Sequence, residues 1–272
     1  MGTAGSAKAA AWIANQFQAM GLQSLNGAWQ HGFNAGGAFG RNVMGLIAGT
    51  ASPSRYVVVM AHFDNLGVLE GTFYPGADSN ASGVAALLEV ARMFCHLESI
   101  RRKYNASLLV VALDGKEKDQ AGARELWRQI EEGKLKDPVS GAAIGPSDVV
   151  LAVNLDQLGA SLSPLSKGRP EYLIMLSEEG SGRRSVLESL NKTHHIGLEL
   201  GFDYYGSKDF TRLFFERVSD QRVFLEHGIP AVMFTSGITL NNNKPYDNSA
   251  SLDYAVMGKR IRLIFYFLDK ML

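Results

Sequence analysis

The sequence predicts an α/β fold, a three-layer α/β/α sandwich with a mixed, mostly parallel central sheet. Three observations predict it: several segments are apolar at every position, they alternate with segments of helical periodicity, and the chain of 272 residues can bury a large core. A strand without a polar face must be covered by helices on both sides, and helical crossovers favour parallel pairing. Because no repeat, low-complexity stretch or Pro/Gly/Ser-rich linker divides the chain, we expect one domain over residues 1–272.

The elements follow from local patterns. Residues 7–20 carry apolar side chains at helical spacing, and Gly21 is a usual helix-ending residue. The segment Tyr-Val-Val-Val-Met at 56–60 is apolar on both faces, as in a central strand. Strands are predicted at 42–47, 55–61, 107–113, 149–155, 172–176 and 231–234, and further helices at 81–96, 122–132, 183–192 and 252–272. Residues 133–147 and 161–170 are predicted to be long loops, which often shape a site.

Composition and charge exclude several classes of protein. With 46% hydrophobic and 20% charged residues, the chain is neither disordered nor collagen-like. Lys and Arg total 27, as do Asp and Glu, so no overall field attracts nucleic acid, and we expect none as a partner. No apolar run approaches the ~18 residues of a membrane span. We expect no membrane span and no targeting segment. The single cysteine, Cys95, is expected to be a buried structural residue.

Polar residues follow the predicted buried strands. In chain order they are His62, Asp64, Asp78, Asp114, Lys116, Glu117 and Asp156. Because ligands of open α/β sheets bind beyond the carboxyl ends of the strands, one imidazole and at least three carboxylates can meet at one edge. Carboxylates that meet are stable only when cations neutralise them. Nitrogen and oxygen donors without thiolates favour zinc, with manganese or cobalt as alternatives, so we predict a metal site.

Each of these residues also has a structural interpretation. A histidine at a strand end is often a hydrogen-bonded structural residue, and Asp78 or Asp156 could each cap a helix. Asp64 could be a ligand, or it could accept the second N–H of the His62 imidazole and orient the ring. The occurrence of such residues after three buried strands favours the metal site.

Several motifs together resemble the co-catalytic zinc exopeptidases, which include bacterial leucyl aminopeptidases, glutamate carboxypeptidase and glutaminyl cyclase. The most specific is Gly-Ala-Asp-Ser-Asn-Ala-Ser-Gly at 76–83. Shorter motifs lie at 42–45, 61–64, 154–156, 219–221, 228–231 and 247–254. The resemblance implies a peptide or small amino-acyl substrate, a zinc ion that polarises its carbonyl and activates water, and a secreted or periplasmic location.

The resemblance also implies roles for individual residues. The implied metal ligands are His62, Asp78, Glu117 and Asp156. Asp78 would bridge two ions, with His62 and Asp156 completing one position and Glu117 belonging to the other. Asp64 and Asp247 would lie behind the ligands and support them.

Two positions depart from the pattern of these exopeptidases. Lys116 stands where they carry a glutamate as general base, and Asn243 aligns with a histidine that binds metal. Asp78, Glu117 and Asp156 supply three negative charges and Lys116 one positive charge. One divalent ion brings this sum to zero, whereas two leave a surplus of two. We therefore expect one zinc ion rather than two, with the Lys116 ammonium replacing the other and pairing with Glu117 and Asp78.

Two functions follow. The chain is a metal-dependent, aminopeptidase-like exopeptidase whose activity is weak or altered, or it is an inactive homologue that binds a peptide, a metal or a protein. A protonated lysine cannot accept a proton from water, and a general base contributes ~10²–10⁴-fold to rate. Glu117 is the alternative base. A cyclase-like acyl transfer is disfavoured, because its proton-shuttling acid would fall at Lys116.

Overall fold

The structure is a computed structural model that describes residues 1–50, 54–100, 102–161, 170–204 and 206–272. Its strands are β1 (Gln23–Ser24), β2 (Gln30–Ala35), β3 (Ala38–Ile47), β4 (Tyr56–His62), β5 (Gly67–Leu69), β6 (Thr72–Tyr74), β7 (Ser107–Leu113), β8 (Val149–Leu155), β9 (Tyr172–Ser177), β10 (Glu199–Gly201) and β11 (Ala231–Thr235). Its α-helices are α1 (Ala4–Met20), α2 (Gly83–Ser99), α3 (Ala121–Glu131), α4 (Arg183–Thr193), α5 (Lys208–Arg217), α6 (Gln221–Glu226) and α7 (Tyr254–Met271).

One mixed sheet organises the fold. Its strand order is β1-β3-β7-β4-β8-β11-β9-β10, and β2 also pairs with β3. The four central strands β7, β4, β8 and β11 are mutually parallel. The antiparallel pairings lie toward the edges, where β3 pairs with β1, β2 and β7, and β9 pairs with β11. The edge strand β10 pairs in parallel with β9. The predicted α/β class with a mixed sheet is confirmed, and its four central strands are parallel.

The central strands are apolar on both faces because each face covers a separate core. In β4, Val57, Val59 and Ala61 pack into one core, which includes residues of α1, α2, α4 and α7. Tyr56 and Met60 point to the opposite face, into a core with residues of α3, α5 and α6. Alternate residues of a strand point to opposite faces, so a strand between two helical layers needs apolar side chains at every position.

Most predicted elements are present, with small differences at their ends. The strands predicted at 107–113 and 149–155 have those bounds. The second helix begins two residues later than predicted, because Ala77–Ser82 forms a wide π-helical turn first. The strands and α-helices missed are β1, β2, the hairpin of β5 and β6, β10, α5 and α6, which are short or carry many polar residues. Of the loop predicted at 161–170, residues 162–169 lie outside the described residues.

Two smaller expectations concern Cys95 and membrane spans. Cys95 is partly buried and packs against the core beside α7, and burial raises its pKa to about 11, as for an unreactive thiol. Within the described ranges, no helix has the length and apolar character that crossing a bilayer requires.

Candidate functional site

The carboxyl ends of three central strands lie side by side. β4 pairs in parallel with both neighbours, and His62, its last residue, is opposite Leu113 of β7. On the other side, Met60 is opposite Asn154 of β8. The polar residues that follow these strands therefore start from the same edge of the sheet, as the sequence predicts.

His62 lies between two carboxylates. Its Nε2 atom is 3.5 Å from Asp156 Oδ1, and its Nδ1 atom is 3.1 Å from the Asp64 carbonyl oxygen and 3.6 Å from Asp64 Oδ1. Burial lowers the pKa of His62, but the nearby carboxylates of Asp156 and Asp64 outweigh this effect and raise it to about 10. Of the two roles weighed for Asp64, this contact with Nδ1 matches the residue that orients the ring.

Asp64 also fixes the loop that carries the substituted residues. Its Oδ1 accepts a hydrogen bond from the Lys116 backbone N–H at 3.0 Å, and its Oδ2 accepts one from the Glu117 N–H at 3.2 Å. Burial by itself raises the pKa of Asp64, but His62 and these backbone donors bring it below its usual value. One buried carboxylate therefore holds both the imidazole and the loop after β7.

Lys116 lies next to Asp156. Its Nζ atom is 3.5 Å from Glu117 Oε1 and 4.0 Å from Asp156 Oδ2. Burial disfavours the charged amine, but Asp156 and Glu117 outweigh it, so the pKa of Lys116 is raised. Likewise, burial favours protonation of Asp156, but the Lys116 ammonium and His62 hold its pKa well below the usual range. Asp156 Oδ2 also accepts a hydrogen bond from Ser219 Oγ at 2.5 Å.

Asp78 is held by a separate set of bonds. Its Oδ1 accepts from the backbone N–H groups of Gly159 at 2.8 Å and Ala160 at 3.2 Å, and from Ser82 Oγ at 3.1 Å. Asp247 supports its backbone, since Asp247 Oδ1 accepts from the Asp78 N–H at 2.7 Å. Burial raises the pKa of Asp78 despite these donors.

The expected pairing of Lys116 with Asp78 was wrong. Among the described residues, Lys116 makes ion pairs within 4.0 Å only with Glu117 and Asp156. The physical reason is the anchoring of the Lys116 backbone by Asp64, which aims the lysine side chain at Asp156.

A cavity of about 400 Å³ opens beside this cluster. Lys116, Glu117, Asp156 and Asn243 all contribute to its wall, so the two substituted positions face one space. His62 is not part of the lining. Part of the cavity lining is apolar. Its apolar lining residues are Phe214, Val218, Met233 and Ile238.

Two of the donor atoms present have the spacing of ligands of one metal ion. The buried atoms without a hydrogen-bond partner in the described part of the chain include His62 Nε2, Asp78 Oδ2 and Asp156 Oδ1. Two ligands about 2.0–2.2 Å from one tetrahedral zinc lie about 3.4 Å apart. The 3.5 Å between His62 Nε2 and Asp156 Oδ1 matches that spacing.

The same residues do not fit a second ion. The Lys116 ammonium repels a cation, and Asn243 provides a neutral amide where an imidazole is expected. Across the described ranges, no three His, Cys, Asp or Glu side chains are close enough to hold a metal as they stand. A third ligand for one ion would therefore need a side-chain movement.

Asp220 is also a member of the cluster, although the sequence placed it only within the motif at 219–221 and predicted no role for it. It is completely buried, and neither of its carboxylate oxygens has a hydrogen-bond partner among the described residues. Burial raises its pKa to about 7, with His62 lowering it and Asp64 raising it. The available signal was the polar triplet at 219–221, three consecutive polar residues that are all buried.

Comparisons with known proteins bear on this arrangement. A family model described as peptidase family M28 matches residues 42–268. The BOS complex subunit ncln of Danio rerio is 34% identical over 128 residues, which cover 44% of this chain and 21% of that protein. A probable zinc metalloprotease of Pyrenophora tritici-repentis is 24% identical over 253 residues, covering 82% of this chain and 54% of that protein. The chain thus spans about half, or less, of these curated relatives.

The fold has a counterpart among solved structures. The LapA aminopeptidase of Legionella pneumophila superimposes with a TM-score of 0.73 at 16% identity, over 97% of this chain and 64% of that chain. At this identity the likeness extends to the fold alone.

Proposed function

This chain belongs to peptidase family M28, and we propose that it is a divergent member that binds one zinc ion and a peptide or amino-acyl ligand, with little or no hydrolysis. Membership makes it a metallopeptidase by family and implies zinc. The number of ions, the ligand and the loss of turnover are the parts that we propose.

The position of Lys116 is the observation that carries this proposal. It occupies the place where the general base is expected, and its ammonium lies 4.0 Å from Asp156 and 3.5 Å from Glu117. These carboxylates raise its pKa against the effect of burial, so the amine stays protonated at neutral pH. A protonated amine cannot take the proton of an attacking water, and the loss of a general base costs ~10²–10⁴-fold in rate.

One zinc ion would be held by His62, Asp156 and Asp78, whose unpartnered atoms are donors of the right type. When bound, zinc would polarise a carbonyl and lower the pKa of water. Asp64 keeps the His62 ring oriented, and Asp247 holds the backbone of Asp78. Lys116 supplies positive charge at the place of the second ion.

The cavity suggests the chemistry of the ligand. Arg217 contributes to its wall, and its guanidinium makes no ion pair or hydrogen bond in the described part of the chain. Together with the apolar wall, a guanidinium suits a ligand with an apolar side chain and a free carboxylate. We therefore favour a peptide or an acylated amino acid with an apolar carboxyl-terminal residue.

A second candidate is a weak aminopeptidase with Glu117 as the base. Its side chain is 34% exposed and faces the cavity, so it could reach a water molecule there.

The first candidate, binding without turnover, is also compatible with a relative whose name is that of a subunit of a complex. The two candidates differ in whether Glu117→Gln removes a measurable rate.

The experiment is metal analysis combined with a hydrolysis assay. Purified protein is equilibrated with zinc, manganese or cobalt, desalted and analysed for bound metal, and then assayed on aminoacyl-arylamides. We expect one zinc ion per chain and hydrolysis near the rate without protein. Two tightly bound zinc ions, or hydrolysis that persists at a high rate in Glu117→Gln, would overturn the proposal. A low rate that Glu117→Gln abolishes would favour the second candidate.

A further inference from the structure

Arg260 is a fully buried arginine beside the chain segment that follows β8. It lies in α7 and makes no ion pair within the described residues. Its guanidinium donates instead to oxygens of the chain just after β8. Nη1 donates to the carbonyls of Leu158 at 2.9 Å and Ala160 at 3.0 Å, and Nη2 donates to Ser161 Oγ at 2.9 Å. A third donor, Nε, bonds to the Tyr172 carbonyl at 2.7 Å.

The same stretch of backbone faces Asp78 on its other side. The N–H groups of Gly159 and Ala160 donate to Asp78 Oδ1 at 2.8 and 3.2 Å. The peptide unit between Leu158 and Gly159 therefore has its carbonyl on Arg260 and its N–H on Asp78. The negative carbonyl end of this peptide dipole faces the Arg260 guanidinium, and the positive N–H end faces the Asp78 carboxylate. In a low-dielectric interior such a chain of hydrogen bonds is strengthened.

We propose that Arg260 is a positioning residue for the Asp78 carboxylate. By holding the carbonyls of residues 158 and 160, it presents two N–H groups to Oδ1 and leaves Oδ2 as the free oxygen. The inference rests on the proposed function only in giving Oδ2 a cation to bind. The role of Arg260 in fixing Asp78 is independent of that.

The space around Gly159 shows how closely this unit is built. A Cβ atom at this position would lie 2.7 Å from Leu252 Cδ2 and 3.2 Å from Asp78 Oδ1. A side chain at this position would collide with Leu252 and crowd Asp78, so the close approach of this backbone to Asp78 requires glycine.

The test uses Arg260→Lys and Arg260→Met. Lysine keeps the charge but cannot reproduce the fork of donors, and methionine removes both. The first readout needs no metal: amide hydrogen exchange of Gly159 and Ala160. We expect at least about tenfold faster exchange of these two amides in both variants, with amides of β4 and β7 unchanged. The second readout is affinity for zinc in competition with a chelator, expected to fall more than about tenfold in Arg260→Met and less in Arg260→Lys.

A control separates positioning from general stability. Phe94→Leu removes buried volume where α2 packs on α7, at a residue that contacts Phe265 and Tyr104 but not the Asp78 unit. We expect it to lower the melting temperature without a specific change in the Gly159 and Ala160 amides or in zinc affinity. If Arg260→Lys behaves as this control does, Arg260 only stabilises the fold and the inference fails.

Two other results of these experiments also have a definite meaning. Should Arg260→Met not fold, Arg260→Lys and Ser161→Ala take its place, since the latter removes the acceptor of Nη2 and otherwise only an exposed 3.3 Å hydrogen bond to the Pro170 carbonyl. In Ser161→Ala we expect a smaller increase in exchange of the same amides, and no increase contradicts the inference. Should the wild-type protein bind no zinc, the proposed function fails, while amide exchange still decides the role of Arg260.

Discussion

The two sides of the site differ in burial and in what they retain. His62 and Asp156 are 1% and 3% exposed, whereas the Glu117 side chain is 34% exposed and Asn243 is on the surface of the cavity. The buried side keeps His62, Asp78 and Asp156, and both departures from the exopeptidase pattern lie on the cavity side with Glu117. A buried carboxylate needs a cation or hydrogen-bond donors whether or not chemistry occurs, while a residue in contact with water can change at little cost.

Lys116 is the link between these sides. Its ammonium reaches across to Asp156, so the buried side is neutralised in part by a residue of the cavity side. The comparison teaches that a lysine at the position expected for the base still stabilises the buried carboxylates, because its ammonium carries the opposite charge.

Restoring the cavity side should have the largest effect. In the double variant Lys116→Glu, Asn243→His, we expect hydrolysis of aminoacyl-arylamides with added zinc to rise ~10²–10⁴-fold above wild type, since a general base and a metal ligand are returned. Initial rates and bound zinc are measured together. The matched control is Lys118→Glu, Asn241→His, which makes the same changes at neighbouring positions. A repaired protein that binds two zinc ions and stays inactive would locate the defect elsewhere.

Breaking the buried side should cost stability. Asp156→Asn leaves the Lys116 ammonium and the His62 imidazole without their shared counter-charge. Removing one partner of a buried pair costs about 3–5 kcal/mol, and we expect the free energy of unfolding of the metal-free protein to fall by about 3 kcal/mol in urea titration. Asp209→Asn, whose side chain is 99% exposed, should change it by less than about 0.5 kcal/mol. Equal effects of the two would show that the buried cluster carries no special weight.

The cavity side can also be tested for binding. Arg217→Met should weaken binding of N-acetyl-leucine about fivefold in calorimetric titration, because an exposed charge contributes about 1 kcal/mol. Binding of the corresponding amide, which has no carboxylate, should not change. Arg212→Met, on the same helix and 71% exposed, is the control and should have no effect on either ligand. If both variants weaken binding alike, Arg217 has no specific role.

The smallest effect concerns a buried imidazole outside the site. Burial lowers the pKa of His31, with the Ala28 carbonyl and Glu125 opposing, whereas carboxylates raise the pKa of His62. The His31 imidazole therefore binds a proton less readily in the folded protein than in the unfolded chain. Its contribution to the free energy of unfolding is fully present above the unfolded pKa of about 6.5 and is lost as the pH falls. His31→Gln should flatten the decline in unfolding free energy between pH 7.5 and 5.5.

Exposed His96 provides the control for this measurement. His96→Gln makes the same substitution at an exposed position of α2, and its profile is the background with which the His31→Gln profile is compared. A His31→Gln profile that is parallel to the wild type would mean that His31 titrates alike in both states.

Sequence patterns reached the centre of the molecule better than its edges. The strands β4, β7 and β8 were predicted because a strand between two cores must be apolar at each position. Their parallel order brought His62 and Asp156 to one edge, as expected. The edge strand β2 was missed because its buried positions hold His31 and Phe33 in a short polar segment. The alternation of burial in the structure is therefore not visible as an alternation of apolar and polar residues in the sequence.

Within the site, the sequence predicted residues but not the contacts between them. Local motifs identified Asp64, but not that its carboxylate holds the loop of Lys116. Asp220 gave no signal of its charge environment, and Arg260 looked like one charged residue of a terminal helix. In each case the partners are far apart in the chain, and no local spacing records their contact.

The order of apolar segments and the residues that end them determined the layers of this fold and the edge of the sheet where its polar groups gather. Tertiary structure alone decided that Lys116 pairs with Asp156 rather than Asp78, and that a peptide unit lies between Arg260 and Asp78. The apolar pattern of a segment and its period are set by neighbours in sequence. Which of several carboxylates a side chain pairs with depends on where the folded backbone places that side chain.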